Sequence, residues 1–234
     1  MASFSSQHIG IVACSAEGAA LCYRTICLEG AAVMGKHSHP EVSLHGHCLA
    51  EYMRCIYAND WVGVAELMLS SSDKLARAGA DFLICPDNTI HQAFDLVEHR
   101  SPRPWLHIAH EVAKEAIRCR YKRLGVLGTQ YLMEGPVYPE KLKVAGLDYR
   151  IPGPEQRAKI NQIIFDELVN AQFTARSLAY FVEVIRTLAA EGCDAVVLGC
   201  TEIPLLVTPD SSPLPTLDST RLLAKAALRK AIDA

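Results

Sequence analysis

The chain lacks any apolar stretch long enough to cross a bilayer. Apolar runs such as Ala195–Leu198 are far shorter than the roughly 20 residues that a membrane-spanning helix needs. Residues 1–8 are polar and have neither the basic start nor the apolar run of a signal peptide. We therefore expect a cytoplasmic protein that has no membrane as partner.

Several chemical signatures are also missing. The nine cysteines are an odd number with no C-x-x-C spacing, which favours reduced thiols over a disulfide framework or a zinc ribbon. The turn at residues 14–18 (CSAEG) is not a G-x-G-x-x-G loop, so nucleotide binding is not indicated. No G-x-S-x-G elbow of a serine hydrolase occurs either. The formal net charge of −3 gives no reason to expect nucleic acid as a partner.

Short apolar runs alternate with longer stretches of helical periodicity. We predict strands at residues 9–14, 41–45, 82–85, 105–108, 124–128, 148–151 and 195–198. Helices are predicted from about residue 17, after Asp60, after an N-cap at Thr174, and over residues 220–231. This alternation is typical of an α/β fold, in which helices cover both faces of a parallel sheet.

The sequence also resembles itself. Residues 8–14 (HIGIVAC) echo residues 123–129 (RLGVLGT), and residues 79–84 (GADFLI) echo residues 192–197 (GCDAVV). The offsets are nearly equal, 115 positions from 8 to 123 and 113 positions from 79 to 192. Either any two α/β units share such strand entries, or the unit is duplicated. We predict two pseudo-symmetric, Rossmann-like halves, residues 1–110 with 216–234 and residues 111–215, with the active site between them.

The repeat pairs two chemically active residues. Aligning the third strand of each half matches Asp87 with Cys200, whereas Cys85 matches Leu198. Ligands of parallel sheets bind at the carboxyl ends of the strands. Asp87 and Cys200 follow such ends, and the N–H groups where the next helix begins suit a substrate carboxylate.

Residues 85–91 (CPDNTIH) and 198–206 (LGCTEIPLL) resemble the two active-site signatures of the aspartate/glutamate racemase superfamily. This resemblance extends over nearly the whole chain. It implies two pseudo-symmetric α/β domains, no cofactor, and one thiol on each side of the substrate α-carbon. By the resemblance Cys200 is one catalytic thiol.

The first signature departs from the family pattern, in which a cysteine directly precedes Asn-Thr. Here Asp87 precedes Asn88 and Thr89, and Cys85 lies two positions too early. An ordinary aspartate has a pKa of about 4 and is a weak base at neutral pH, so burial or a substrate carboxylate would have to raise it. We predict Asp87 and Cys200 as the catalytic pair, with Cys85 as the alternative thiol.

Further residues are expected to bind the substrate or to orient the catalytic pair. Asn88, Thr89, Thr201 and Glu202 adjoin the pair, and the ends of the first strands of each half should line the same site. The predicted substrate-binding residues are Cys14, Ser15, His45, Asn88, Thr89, Thr129, Gln130, Thr201 and Glu202.

A histidine cluster contains two H-x-H spacings, which invites a metal interpretation because imidazole binds zinc, copper or nickel. No carboxylate or cysteine falls at a spacing that would complete such a site, so we predict no metal. His45 is expected to help bind the substrate, and the others to lie at the surface. The cluster consists of His37, His39, His45 and His47.

These residues predict a cofactor-independent racemase that moves a proton at Cα of an amino acid, an acidic one by resemblance. No lysine suggests a Schiff base. Two alternatives stay open: a single-thiol relative, such as a decarboxylase or a cis–trans isomerase acting on a small carboxylic acid, and a non-catalytic ligand-binding protein. By analogy with relatives we expect a homodimer.

Overall fold

The computed structural model describes residues 6–233, which form two compact units. Unit 1 contains the described residues up to Ile108 together with those from Thr220 onward, and unit 2 is Ala109–Ser219. The boundaries predicted from the sequence, residues 1–110 with 216–234 and residues 111–215, differ from those of these units at residues 109–110 and 216–219.

Each unit contains one parallel sheet of four strands. Strands β1 to β8 are Ile9–Ala13, Val42–Gly46, Phe82–Ile84, Trp105–Leu106, Arg123–Leu127, Asp148–Arg150, Ala195–Leu198 and Thr216–Asp218. In unit 1 the order is β2-β1-β3-β4, and in unit 2 it is β6-β5-β7-β8, which is the same arrangement. The prediction of an α/β fold with two similar parallel-sheet halves is confirmed.

The central strands are buried on both faces, because helices cover both sides of each parallel sheet. Residues of β1 and β3 pack with the first and last helices in unit 1, and residues of β7 pack with the helices Pro154–Asp166 and Ala175–Ala190 in unit 2. None of the described helices is long and apolar enough to cross a membrane. Helices α1 to α11 are Ala16–Met34, Leu49–Tyr57, Trp61–Arg77, Phe94–Val97, Ile108–Arg118, Gln130–Glu134, Val137–Val144, Pro154–Asp166, Ala175–Ala190, Ile203–Leu206 and Ser219–Ile232.

The Gly-x-Asp echo in the sequence has one structural role in both units. Gly79 follows α3 with a φ of 98° and Gly192 follows α9 with a φ of 86°, a left-handed conformation that glycine adopts without strain. Two residues later, the Asp81 carboxylate accepts the backbone N–H of His8, and the Asp194 carboxylate accepts that of Arg123. The echo therefore fixes the entry into the central strands of each sheet.

The central strands also pair in the same register. Ile9 lies opposite Phe82 in unit 1, and Leu124 lies opposite Ala195 in unit 2. These are equivalent positions of the repeat. Continued to the carboxyl ends of the strands, the register sets Cys14 beside Asp87 and Thr129 beside Cys200.

Candidate functional site

Asp87 lies at the carboxyl end of the unit 1 sheet, three residues beyond β3. Its Oδ2 accepts the backbone N–H groups of Cys14 at 3.3 Å and Ser15 at 3.0 Å. Ser15 is also the N-cap of α1, and its Oγ accepts the N–H of Gly18 at 3.2 Å. The half-buried carboxylate of Asp87 is thus held at the N-terminal end of a 19-residue helix, where the helix dipole favours negative charge.

The loop that carries Asp87 is fixed by a buried histidine. His91 Nδ1–H donates to the carbonyl oxygen of Asp87 at 2.8 Å, and Nε2 accepts the N–H of Ile108 at 3.5 Å. Asn88 is buried, and Thr89 is half-buried and begins a short 3₁₀ helix, Thr89–Ala93. Asn88 and Thr89 therefore lie beside Asp87, as predicted from their adjacency.

Cys85 is placed differently from Asp87. Its side chain is 0% exposed, and its Sγ donates to the carbonyl oxygen of Asp87 at 3.8 Å. Burial, with the nearby charge of Asp87, raises the pKa of the Cys85 thiol well above its usual value. A thiol that stays protonated and has no exposed surface is a poor acid/base group, which favours Asp87 over Cys85.

Tyr52 on α2 lies near Cys85, Cys14 and Asp87, and the sequence analysis did not identify it as a candidate. Its side chain is 0% exposed, and its hydroxyl lies near the side chain of Ser71. Burial raises the pKa of the phenol well above its usual value, and negative charge on three neighbours raises it further, in the order Cys85, Cys14 and Asp87. The spacing of the buried residues Tyr52, Cys55 and Ile56 is helical and could have revealed α2.

His45 on β2, predicted to bind the substrate, is bonded to α3. Its Nδ1 lies 2.9 Å from Ser71 Oγ. Burial lowers the pKa of His45, and the nearby Lys74 and His47 lower it further, so the neutral imidazole is favoured.

The other histidines of the cluster have separate partners. His47 Nε2 lies 3.1 Å from Ser70 Oγ, and His39 Nδ1–H donates to the carbonyl oxygen of Pro40 at 2.8 Å. His37 is exposed and has a φ of 67°. Over residues 6–233 no group of three or more histidine, cysteine, aspartate or glutamate side chains could hold a metal ion.

Cys200 lies at the carboxyl end of the unit 2 sheet, two residues beyond β7. Its half-buried thiol donates to Glu202 Oε2 at 2.9 Å. Glu202 and Thr201 are each only 4% exposed. The thiol of Cys200 thus has a buried carboxylate beside it, which can accept its proton.

Thr129 and Gln130 follow β5 in the same unit. Thr129 is the N-cap of α6, where its side chain accepts the N–H of Leu132 at 3.2 Å. The backbone N–H of Gln130 donates to Asn161 Oδ1 at 2.9 Å, and its side-chain amide donates to Glu134. The described contacts give both residues local structural partners.

Gly199 brings the ends of β5 and β7 together. Its N–H donates to the carbonyl oxygen of Leu127 at 2.7 Å, and a Cβ on Gly199 would lie 2.8 Å from that oxygen and 2.5 Å from Leu132 Cδ2. Only glycine fits this approach, which sets the position of Cys200.

Gly199→Ala is expected to destabilise the protein by about 1–3 kcal/mol, because the added methyl overpacks the strand ends and pushes against backbone. The free energy of unfolding in urea measures the effect. Gly153→Ala is the control, since the nearest atom to its Cβ would be Gln156 Oε1 at 3.8 Å. Equal stability of Gly199→Ala and the wild type would contradict the close approach.

An open cavity of about 630 Å³ lies within unit 1. Cys14 and Ser15 line it, together with residues of α1 and of the edge strand β2. The cavity therefore adjoins the residues that hold the Asp87 carboxylate.

The described structure brings Cys14, Ser15 and Asp87 together in unit 1, and Cys200 and Glu202 together in unit 2. Each unit thus has a thiol-bearing residue and a carboxylate at the carboxyl edge of its sheet.

Comparison with known proteins gives one consistent result. A family model described as Asp/Glu/Hydantoin racemase matches residues 11–227. The chain is 28% identical over 161 residues to the broad specificity amino-acid racemase RacX of Bacillus subtilis (strain 168), and the match covers 68% of each protein.

Two crystal structures are similar over nearly their whole length. A Yersinia pestis protein provisionally described as an Asp/Glu racemase has a TM-score of 0.88 and 29% identity, covering 95% of this chain and 97% of that one. An aspartate racemase homologue from Pyrococcus horikoshii OT3 has a TM-score of 0.83 and 25% identity, covering 95% and 98%.

Proposed function

The chain belongs to the Asp/Glu/hydantoin racemase family and is an amino-acid racemase, and we propose that it inverts an acidic amino acid without a cofactor, using Asp87 and Cys200. The observation that carries this proposal is the shared register of the central strands, because it makes Asp87 and Cys200 equivalent positions at two sheet edges. Inversion requires one group to remove the α-proton and another to supply a proton to the opposite face.

Cys200 has what a proton donor and acceptor needs. When Cys200 removes the α-proton, its thiol first gives its own proton to Glu202, which lies 2.9 Å away. When Cys200 supplies the proton, the S–H bond breaks and a Cα–H bond forms. A thiol is suited to both directions because its usual pKa of about 8.5 lies near neutral pH.

The α-proton of an amino acid is very weakly acidic, so the site must also stabilise the carbanion. Preorganised hydrogen-bond donors provide such stabilisation in a water-poor site. Asn88 and Thr201 are buried beside the two acid/base positions, with 3% and 4% exposure, and we assign them this role.

The acidic substrate is proposed from the relatives named for aspartate and glutamate. RacX is described as having broad specificity, so the substrate preference of this protein has to be measured. The homodimer and the cytoplasmic location expected from the sequence stay predictions, which sedimentation equilibrium and cell fractionation would test.

Incubation of the protein with single amino acids in D₂O tests the function. We expect deuterium at Cα together with inversion, fastest for aspartate or glutamate, when no pyridoxal phosphate or metal is added. Proton NMR follows the exchange and chiral chromatography follows the inversion. If no common amino acid exchanges its α-proton, the proposal is wrong, and release of CO₂ instead would support a decarboxylase.

A further inference from the structure

The main chain of Asp87 is bonded separately from its carboxylate. His91 Nδ1 lies 2.8 Å from the carbonyl oxygen of Asp87, and His91 Nε2 lies 3.5 Å from the backbone nitrogen of Ile108. A carbonyl oxygen can only accept a hydrogen bond and a backbone N–H can only donate one, so the two partners fix one form of the ring. His91 is therefore a neutral imidazole that carries its proton on Nδ1.

These bonds join the carboxyl ends of three neighbouring strands of unit 1. Strands β1, β3 and β4 are adjacent in the sheet and run parallel. The carboxylate of Asp87, which follows β3, accepts the N–H groups of Cys14 and Ser15, which follow β1. His91 joins the carbonyl group of Asp87 to Ile108, two residues beyond β4. Asp87 is thus attached to one neighbouring strand end by its side chain and to the other by its main chain.

Aromatic side chains fix the position of the His91 ring. The ring of Phe94 stacks on it with the centroids 5.7 Å apart, and the ring of His107 packs edge to face against it at 4.6 Å. His91 is only 3% exposed, so water cannot readily replace either of its bonds, and a buried polar group left unpaired costs stability. A ring that is packed in this way and bonded at both nitrogens restricts the movement of the Asp87 main chain.

We propose that His91 is a positioning residue, which keeps the carboxylate of Asp87 at the place from which it acts in proton transfer. The inference rests on the proposed function and assigns His91 a part in the rate of the reaction as well as in folding. Without the bond from Nδ1, the peptide group after Asp87 can rotate and the carboxylate moves with it. A displacement of about 1 Å can lower a rate by about 10²-fold. Because His91 acts only through Asp87, its loss should lower kcat more than it raises KM.

Two amide variants separate positioning from packing. The amide nitrogen of asparagine takes the place of Nδ1, so His91→Asn keeps a donor for the carbonyl oxygen of Asp87. Glutamine reaches the place of Nε2, so His91→Gln keeps an acceptor for the N–H of Ile108 but loses the bond to Asp87. Both variants lose the ring, and both should lower the urea midpoint. We expect kcat to fall by about tenfold or more in His91→Gln and by less than about threefold in His91→Asn, with KM within about twofold of the wild type in both.

His39→Gln is the matched control. His39 Nδ1–H also donates to a carbonyl oxygen, that of Pro40, at 2.8 Å, but His39 precedes β2 at the amino edge of the sheet. We expect this variant to racemise at the wild-type rate. Equal losses of kcat in His91→Asn and His91→Gln would show that His91 only packs, and wild-type kcat in His91→Gln would overturn the assignment. If the wild type and His39→Gln invert no amino acid, the proposed function fails instead.

Amide hydrogen exchange tests the same link without substrate. The Ser15 N–H is protected while the carboxylate of Asp87 accepts it. His91→Gln should speed its exchange by about tenfold or more, whereas His91→Asn should leave it unchanged. The N–H of His8, which the carboxylate of Asp81 accepts at the opposite end of β3, is the internal reference. Wild-type protection of Ser15 in His91→Gln would show that the ring does not set the position of the carboxylate.

The ring form of His91 can be measured in the wild type, where folding of a variant is not in question. The nitrogen chemical shifts of the imidazole distinguish the two neutral forms in an NMR experiment. We expect the proton on Nδ1, since that nitrogen donates to Asp87. A proton on Nε2 instead would exclude the bond to Asp87 and with it the positioning role.

Discussion

Cys200→Ser is expected to lower kcat/KM by about 10²–10⁴-fold, the usual contribution of a positioned acid/base group. The hydroxyl of serine is nearly isosteric with the thiol and can still donate to Glu202, so folding should be retained. It is a far weaker acid than a thiol, however, and cannot supply the thiolate that removes the α-proton. The loss corresponds to about 3–5 kcal/mol of transition-state stabilisation.

Cys119→Ser is a well-matched control for this experiment. Cys119 also lies in unit 2, is half-buried, and has its Sγ 3.7 Å from a carboxylate oxygen of Glu115. It follows α5 and is remote in sequence from the end of β7. We expect it to racemise at the wild-type rate in the same assay. Full activity of Cys200→Ser would remove Cys200 from the mechanism.

Asp87→Asn is expected to lower kcat by a similar amount, about 10²–10⁴-fold, while the protein still folds. The amide oxygen of asparagine can still accept the N–H groups of Cys14 and Ser15, so the start of α1 should be preserved. The variant loses the negative charge and the ability to accept a proton. Steady-state kinetics and the urea midpoint should therefore diverge, with low activity at near wild-type stability.

Asp87→Ala completes the comparison, because it removes the acceptor as well as the charge. We expect it to be as inactive as Asp87→Asn and to lose about 1–3 kcal/mol of stability, the penalty for leaving buried donors unpaired. Asp81→Asn serves as the control, since Asp81 accepts the backbone N–H of His8 at the opposite end of β3. If Asp87→Asn keeps wild-type activity, Asp87 only anchors the loop.

The elements that the sequence predicted best are those whose signals are local. The strand at Ala195–Leu198 was predicted with its observed bounds, and the side chain of Thr174 caps α9 by accepting the N–H of Ser177. The repeat was visible because its strand entries need the same residues. Periodicity and capping act over a few residues, so they can be recognised without knowing the fold.

What the sequence did not reveal depends on contacts between distant residues. Helix α2 was missed, and with it Tyr52, whose importance arises only from its neighbours in space. Strand β8 is three residues long and follows two prolines, Pro213 and Pro215, so the sequence pattern did not predict it. The hydrogen bonds from Cys14 and Ser15 to Asp87 span more than 70 positions, so adjacency in sequence could not indicate them.

The site prediction was limited in the same way. Strand alternation could place His45 near a sheet end, but its bond to Ser71 depends on how α3 packs. The pairing of Cys200 with Glu202 is a contact between residues two positions apart, which the sequence could suggest but not distinguish from capping.

The chain order of the two units has a consequence for synthesis. The core of unit 1 includes residues of α11, among them Leu223, Ala227 and Ala231, packed with β1 and β3. Unit 2 is continuous, so its core is complete as soon as Ser219 has left the ribosome. Domains fold as units while the chain emerges, and the surroundings of Cys200 can therefore form first. Unit 1 must wait for α11, and the part of its core that α11 covers stays exposed to chaperones or aggregation until then.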